Sequence, residues 1–502
     1  MLARVIAATP WGIDALPVHV EVDSQSGLPQ IQIVGLPDTA VRESRERVRS
    51  AIKNCGFDLP PRAVVVNLAP ADLRKEGNHL DLAIALGLLV AHGQMPQECL
   101  DGRLFSGELG LDGTIRSIRG GLAIASLSAR ESLRELLLPA ANSGEAAALR
   151  SVPVIPVRHL SEIVGHLLGA APIAPREDGG GSQADVGDEL DLCEVRGQET
   201  AKRALEIAAA GGHNLLFIGP PGSGKTMLAR RLPGLLPPLE LAEAIEVTKI
   251  QSLAASEPPD GLARRRPFRS PHPGISTAGM IGGGSVPQPG EVSLAHHGVL
   301  FLDELPQFRR DTLEALRHPL EDAEVTVVRA RARLTFPARF VLLAAMNPCP
   351  CGHLGDPRQE CSCSPRRVES YRGRLSGPLL DRVDLHVEVP ALGLDELRGP
   401  MGEPSAAVAE RVVAARALQL GRVTSVNAAL TSRQVAEVCR LESPAATLLD
   451  KAFDQLGLSA RAMDRILKVA RTIADLAGEG ELSAAHIGEA IQYRSLDRRL
   501  TG

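Results

Sequence analysis

The chain has 502 residues, of which 44% are hydrophobic, 23% charged and 2% aromatic, and its formal net charge is −5. A length of this order predicts about two to four domains, and the negative charge excludes a chain-wide basic footprint for nucleic acid. Scarce aromatics argue against gripping single strands by base stacking, which leaves phosphate contacts for any nucleic-acid partner. No apolar run reaches the about 18 residues of a membrane-spanning helix; the best, LDLAIALGLLVAHG from Leu80, is short and carries Asp81. The N-terminal stretch contains Asp14 and no clear cleavage site, so it reads as a first strand and not a signal peptide. Eight cysteines in so long a chain do not suggest a secreted disulfide scaffold. A cytoplasmic protein with no membrane partner is expected.

In chain order, residues 1–170 read as a first domain. VIAATPWGIDALPVHVEVDSQSGLPQIQIVG has the alternation and Gly/Pro punctuation of strands and turns. DTAVRESRERVRSAIKNCG reads as an amphipathic helix stopped by Gly56. RAVVVNLAPADL is a strand, HLDLAIALGLLVAHG a buried helix, and further strands and helices run to Leu168. Residues 171–189 (APIAPREDGGGSQADVGDE) are Gly-, Ser-, Pro- and acid-rich, the composition of a flexible linker. Residues 190–392 then carry the chemistry, and 393–502 read as helices with caps at helical spacing.

The motif at the centre is Gly219-Pro220-Pro221-Gly222-Ser223-Gly224-Lys225-Thr226, which fits G-x-x-x-x-G-K-[ST]. An apolar strand, Leu215–Ile218, precedes it and a helix follows, the context the motif requires. Glycines let backbone N–H groups approach phosphate oxygens, the helix N-terminus favours anions, Lys225 supplies a cation and Thr226 a hydroxyl for magnesium. A second motif, GVLFLDEL, ends a buried strand in Asp303 and Glu304. Asp303 is suited to hold magnesium and Glu304 to polarise an attacking water. Together the two motifs predict nucleoside triphosphate hydrolysis in a parallel α/β sheet, with ATP and magnesium as ligands.

Between these motifs runs a long insertion, ARRRPFRSPHPGISTAGMIGGGSVPQPGEVSLAHHG, read either as a surface loop or as a pore-facing loop. After Glu304 the pattern gives a helix, a hairpin and a buried strand FVLLAAM, with Asn347 at its end. Cys349, Cys351, Cys361 and Cys363 follow as two C-x-C pairs. Four thiolates can hold zinc, although C-x-C is tighter than the usual zinc spacing, and reduced or paired thiols pinning a loop remain the other reading.

These residues resemble the Mg-chelatase-like YifB/ComM family of AAA+ ATPases. The first domain carries the resemblance in IVGLPDTAVRESRERVRSAI, VVNLAPADLRKEGNHLDLAIALGLL and FSGELGLDG, and such a domain is similar to the proteolytic domain of Lon. Lon-type proteases have a serine shortly after Lys-x-Gly. Here Lys75-Glu76-Gly77-Asn78-His79 has none, so a non-proteolytic domain is expected. The insertion shares the family's GGG and PGE-SLAH runs, although Pro273 and Gly274 follow His272 where relatives have a second histidine and a threonine. Relatives share the cysteine cluster.

The resemblance implies that Val195 and Gln198 lie beside the adenine and that Asn347 senses the γ-phosphate. It implies that Arg382 reaches a neighbouring subunit's γ-phosphate, a salt bridge to Asp381 or Asp384 being the other reading. Arg461 matches the second sensor arginine, with Arg465 as its competitor. An arginine acting in trans implies a ring of identical subunits, expected to be a hexamer. A ComM-like member would be a helicase that translocates single-stranded or branched DNA in natural transformation and homologous recombination. A Mg-chelatase-type motor for metal insertion or protein remodelling is the alternative. DNA contact is expected from Arg264, Arg265, Arg266 and Arg269 in the insertion and from Arg329, Arg331 and Arg333 in the hairpin, with pairing to acids as the bland alternative.

Overall fold

In the computed structural model the described residues are 2–75, 77–177, 190–255, 257–284, 287–329, 332–356 and 358–494. Most of the expected linker, residues 178–189, therefore lies outside them, as do Glu76, Arg331 and the last eight residues of the expected C-terminal domain. No helix among the described residues is long and apolar enough to cross a membrane. The chain divides into two units. The first comprises Met1–Asp185 with Glu240–Arg264, and the second Val186–Leu239 with Arg265–Gly502.

The first unit is built on a seven-stranded sheet. Its order is Gln30–Val34, Ala63–Ala69, Asp14–Gln25, Leu2–Trp11, Arg103–Phe105, Glu135–Pro139, Val154–Val157. Leu2–Trp11 pairs antiparallel with Asp14–Gln25, which pairs antiparallel with Ala63–Ala69. The remaining neighbours are parallel. The helix Thr39–Asn54 starts where the Asp38 carboxylate accepts the Val41 amide at 2.8 Å. It ends before Gly56, whose φ of 79° suits a residue without Cβ. The helix Asp81–Ala91 is buried along its whole length. Gly87 lets it lie against the sheet, because a Cβ there would stand 2.6 Å from Val22 Cγ2.

The segment 240–264, left inside the ATPase core by the sequence reading, packs within this first unit. The helix Leu241–Ala254 buries Ala244, Val247, Ile250 and Leu253. The Gly120 amide donates to the Ser252 hydroxyl at 3.1 Å, and Lys249 pairs with Asp14 at 2.8 Å. An apolar stripe seeks whichever surface will bury it, and sequence order carries no information about which one that is.

Beneath Ser252 lies Glu145, fully buried, with one carboxyl oxygen accepting from the Asn142 side chain at 2.8 Å. Burial pushes its carboxyl from the usual 4.5 up to about 7, against the pull of Asn142 and Ser252. A group that holds its proton more tightly when folded contributes stability that is complete below about pH 4.5 and is lost as the pH rises through about 7. Glu145→Gln keeps the acceptor and removes the titration. Denaturation at pH 5 and pH 8 should show the variant gaining on the wild type at the higher pH, by up to about 3 kcal/mol. A difference independent of pH would mean that the native carboxyl is already ionised.

The second unit carries a five-stranded parallel sheet in the order Phe268–Arg269, Val299–Leu302, Val341–Met346, Leu215–Ile218, Leu385–Glu388. The three strands Val299–Leu302, Val341–Met346 and Leu215–Ile218 are buried at every position, which is why they read as continuous apolar runs. Neighbours in the sheet are not neighbours in sequence, so the loops that follow Leu215–Ile218, Val299–Leu302 and Val341–Met346 gather at one edge. Ligands in open α/β sheets bind at that carboxyl edge. The insertion is not one long loop: it contains the helices Thr277–Ile281 and Glu291–Leu294 and a small ladder between Gly282–Gly283 and Gln288–Pro289.

The helices Ser405–Arg422, Ser432–Val438, Ser443–Leu456, Ala460–Ala477 and Ala484–Gln492 share the apolar core of the helix Glu199–Gly211. Thr431 and Ser459 cap two of them through their side chains. Arg411 to Glu206 at 2.6 Å and Arg203 to Glu489 at 2.9 Å tie the helices to the sheet domain.

Candidate nucleotide site

The phosphate loop leaves Ile218 and turns into the helix Lys225–Ala229. Gly222 and Gly224 take φ of 74° and 93°, the left-handed region open to glycine. Gly219 is required for another reason, since a Cβ there would meet the Val389 carbonyl oxygen at 2.1 Å. Lys225 is buried and its ammonium donates to the carbonyls of Gly219 at 2.7 Å and Pro220 at 2.8 Å. It also donates to the Asn347 side-chain oxygen at 3.3 Å. Burial lowers the Lys225 pKa, and Asp303 and Glu304 oppose that shift.

Three strand ends meet at this point. Thr226, at the start of the helix, donates its hydroxyl to Asp303 at 2.7 Å. Asp303 also accepts the Glu304 amide at 2.9 Å. Glu304 is exposed and holds φ of 51°, a conformation that costs a non-glycine residue free energy and recurs at functional sites. Asn347 follows the strand Val341–Met346 directly. A hydroxyl and a carboxylate oxygen in contact form a hard donor set of the kind magnesium takes. The cation, hydroxyl and two carboxylates that the motifs predict, and the amide that the resemblance implies, are therefore neighbours.

Val195 and Gln198 stand differently from the adenine role implied for them. Val195 is wholly enclosed in the core. Gln198, at φ of 57°, donates its side-chain amide to the carbonyls of Pro390 at 2.7 Å and Ser223 at 3.2 Å. It braces the phosphate loop from beneath.

Arg382 lies at the opposite end of the sheet. Asp384 exchanges backbone and side-chain bonds with Asn214, before the strand Leu215–Ile218 begins, whereas Val389 abuts Gly219 after it ends. Five residues of strand separate these points, roughly 16 Å. Arg382 donates to the Pro378 carbonyl at 2.5 Å and pairs with Glu321, and not with Asp381 or Asp384. Arg461 is exposed and acts electrostatically on the same Glu321, while Arg465 is mostly buried and pairs with Asp384 at 3.6 Å. Arg382 does not reach the phosphate loop of its own chain. The implied second sensor, Arg461, thus stands near Glu321.

Comparison with known proteins bears on the whole chain. The family model for "Magnesium chelatase, subunit ChlI" matches residues 191–397, that for "Subunit ChlI of Mg-chelatase" residues 20–142, and that for the ChlI C-terminal region residues 402–494. The YifB protein of Escherichia coli (strain K12) is 46% identical over 502 residues, covering 99% of this chain and 98% of the relative. Competence protein ComM of Haemophilus influenzae is 45% identical over 504 residues, with 99% and 98% covered. The chain belongs to the Mg-chelatase-like YifB/ComM family. The fold of that family is AAA+, in keeping with the parallel sheet and the helical C-terminal region. By contrast, the magnesium-chelatase 38 kDa subunit of Cereibacter sphaeroides is 26% identical over 215 residues, 39% of this chain and 57% of the relative.

The arginines expected to meet DNA divide into two groups in this family member. Arg266 donates to the carbonyls of Pro237 at 2.6 Å and His297 at 2.8 Å, and Arg269 holds Glu291 through two bonds of 2.7 and 2.8 Å. Both make these bonds within the chain, while Arg264 and Arg265 of the same stretch are exposed. The hairpin Glu324–Arg329 with Ala332–Pro337 buries Val325, Val327, Leu334 and Phe336 on one face. Its other face exposes Thr326, Val328, Arg333 and Thr335. Arg331 lies outside the described residues, and only the backbone of Arg329 is described.

The four cysteines come together. Sγ–Sγ distances are 3.4 Å for Cys349–Cys351 and 3.6 Å for both Cys349–Cys361 and Cys351–Cys361. All four sulfurs, Cys363 included, lie within 4.8 Å of one another. A disulfide would need about 2.05 Å. The His353 amide lowers the Cys351 thiol, while burial raises that of Cys363 in the same cluster.

Glu321, Tyr371 and Arg372 belong to no motif in the sequence. Only the scarcity of aromatics could have pointed to Tyr371, one of two tyrosines in the chain.

Proposed function

We propose that the chain hydrolyses ATP in a ring of like subunits and couples that hydrolysis to movement along single-stranded or branched DNA. One observation carries the ATPase reading: Lys225, Thr226, Asp303 and Asn347 contact one another at the carboxyl edge of the sheet, with Glu304 beside them. The Lys225 ammonium, now on loop carbonyls, is the cation for the β- and γ-phosphates. Thr226 and Asp303 would hold magnesium, which supplies charge neutralisation on those phosphates. Glu304 accepts the proton of the attacking water, and Asn347 orients that water through its amide. Arg382 and Arg461, at the far end of the strands, serve a neighbouring subunit's nucleotide, which is the reason for a ring.

Supporting the DNA reading is the full-length likeness to a protein named for competence, against a likeness to the chelatase subunit that spans 39% of the chain. The hairpin's exposed face offers phosphate contacts repeated in each subunit. Arginine's planar fork gives two hydrogen bonds to one phosphate. Replacing Arg329, Arg331 and Arg333 with Ala should leave ring assembly and basal ATPase intact. DNA affinity should fall, and the slope of log affinity against log salt should flatten by about one per lost phosphate contact. Unchanged DNA binding across the salt series would take the DNA contact away from the hairpin. Basal ATPase indifferent to single-stranded and four-way DNA would favour a chelatase-type motor.

The cysteines are assigned to zinc. Four thiolates at Zn–S bonds of 2.3 Å form a tetrahedron whose edges are about 3.8 Å, close to the 3.4–3.6 Å between Cys349, Cys351 and Cys361, with Cys363 within 4.8 Å of them.

A further inference from the structure

We propose that the four-cysteine cluster is the anchor of the catalytic site: metal held there fixes Asn347 and the phosphate loop, so its occupancy sets the rate of ATP hydrolysis. The inference rests on the ATP-hydrolase and zinc readings above. Its starting point is adjacency. Cys349 stands two residues after Asn347 and is fully buried. From Cys363 the chain enters the helix Pro365–Arg372, whose last turn comes back to the same place. Arg372 donates to the Pro348 carbonyl from two nitrogens, at 3.3 and 3.2 Å. Beside it the Tyr371 hydroxyl lies against the Asn347 backbone amide. Asn347 is thus held by Lys225 through its side chain, and the next residue, Pro348, is held by the returning helix through Arg372.

The cluster also touches the phosphate loop. Gly352, between the two cysteine pairs, has φ of 87°, and a Cβ on it would stand 2.5 Å from Pro221 Cδ and 2.8 Å from Cγ. The cysteine loop and the loop that carries Lys225 are therefore in van der Waals contact. What holds the cysteine loop is the question. Between Gly352 and Ser364 the described residues form no helix or strand and none is buried. Ordering a residue costs on the order of 1–2 kcal/mol, and this stretch has no apolar burial to offset that. A metal on four thiolates closes the loop and fixes both of its ends at once. Tyr371 is then a positioning residue: it acts on the chemistry through Asn347, and Asn347 keeps its place while the cluster is closed.

The test uses the full-length protein in three forms: as purified, after treatment with a chelator and readdition of zinc chloride, and as the double variant Cys361→Ser, Cys363→Ser. Each is measured for metal per chain, for affinity towards a fluorescent non-hydrolysable ATP analogue, and for steady-state kcat and KM. Expected are about one metal per chain in the purified protein and none in the variant. The metal-free forms should bind the analogue several-fold more weakly and show kcat on the order of tenfold lower. Zinc should restore the chelated wild type and not the variant. Tyr371→Phe should keep its metal and its analogue affinity and lose kcat alone, which a merely structural role would not do. If the double variant does not fold, the chelated wild type and Tyr371→Phe decide. Metal-free protein with wild-type affinity and kcat overturns the proposal, and so does Tyr371→Phe with wild-type kcat. A purified protein that contains no metal and takes up none overturns the zinc reading and this one together, while hydrolysis by that same protein leaves the ATPase reading standing.

Discussion

Glu304→Gln should yield a protein that binds ATP and hydrolyses it on the order of 10²–10⁴-fold more slowly. The substitution keeps the shape of the side chain and removes the carboxylate that takes the proton of water. Asp303, one residue away, keeps its bond to Thr226 at 2.7 Å, so the oxygens suited to magnesium stay in place and binding is spared. Lys225→Ala should behave in the opposite way. Its ammonium is the one charge that the loop brings to the phosphates, and a charged hydrogen bond contributes about 1.5–3 kcal/mol, which corresponds to roughly ten- to a hundredfold in affinity. Equilibrium binding of a labelled nucleotide separates the two variants: Glu304→Gln near wild type, Lys225→Ala weakened. Wild-type turnover by Glu304→Gln would move the general base elsewhere. Wild-type binding by Lys225→Ala would break the link between the loop and phosphate.

What the sequence made legible follows from how local each signal is. Gly219 to Thr226 and Asp303–Glu304 were readable because backbone approach, cation, hydroxyl and carboxylates have fixed places relative to a strand end. The strand Val341–Met346 was readable because a parallel strand covered on both faces is apolar at every position. The helix Thr39–Asn54 was framed by its cap, Asp38, and its stop, Gly56. Contacts that span the chain were not legible. Nothing in Leu241–Ala254 says that its apolar side belongs with the first unit. Nothing in Arg266 or Arg269 distinguishes an arginine spent on Pro237 and Glu291 from one offered to phosphate. Asp381 and Asp384 are the acids nearest Arg382 in sequence, whereas its partner in the structure is Glu321, some sixty positions away. Tyr371 carries no motif, and its place against Asn347 arises only when the chain returns through the cysteines.

Arg382→Ala should bind ATP in every subunit and hydrolyse it on the order of 10³-fold more slowly or worse, the range in which an arginine supplied in trans acts. Within one chain the side chain pairs with Glu321 near the start of the strand Leu385–Glu388, and the phosphate loop begins where that strand ends. An arginine cannot span roughly 16 Å of strand, so any catalytic contact it makes is with a second subunit. Mixing therefore gives a decisive result. Arg382→Ala subunits keep Glu304 but offer no arginine, whereas Glu304→Gln subunits offer the arginine but have no base. Where a Glu304→Gln subunit presents Arg382 to an Arg382→Ala site, both groups are present, so mixed rings regain activity that neither variant has alone. Recovery should rise and then fall as the proportion of one variant increases, being greatest near equal amounts. If mixtures are no more active than the average of the two parents, or if a dilute monomer of the wild type turns over ATP at the full rate, Arg382 does not act across an interface, and its pair with Glu321 is its whole role.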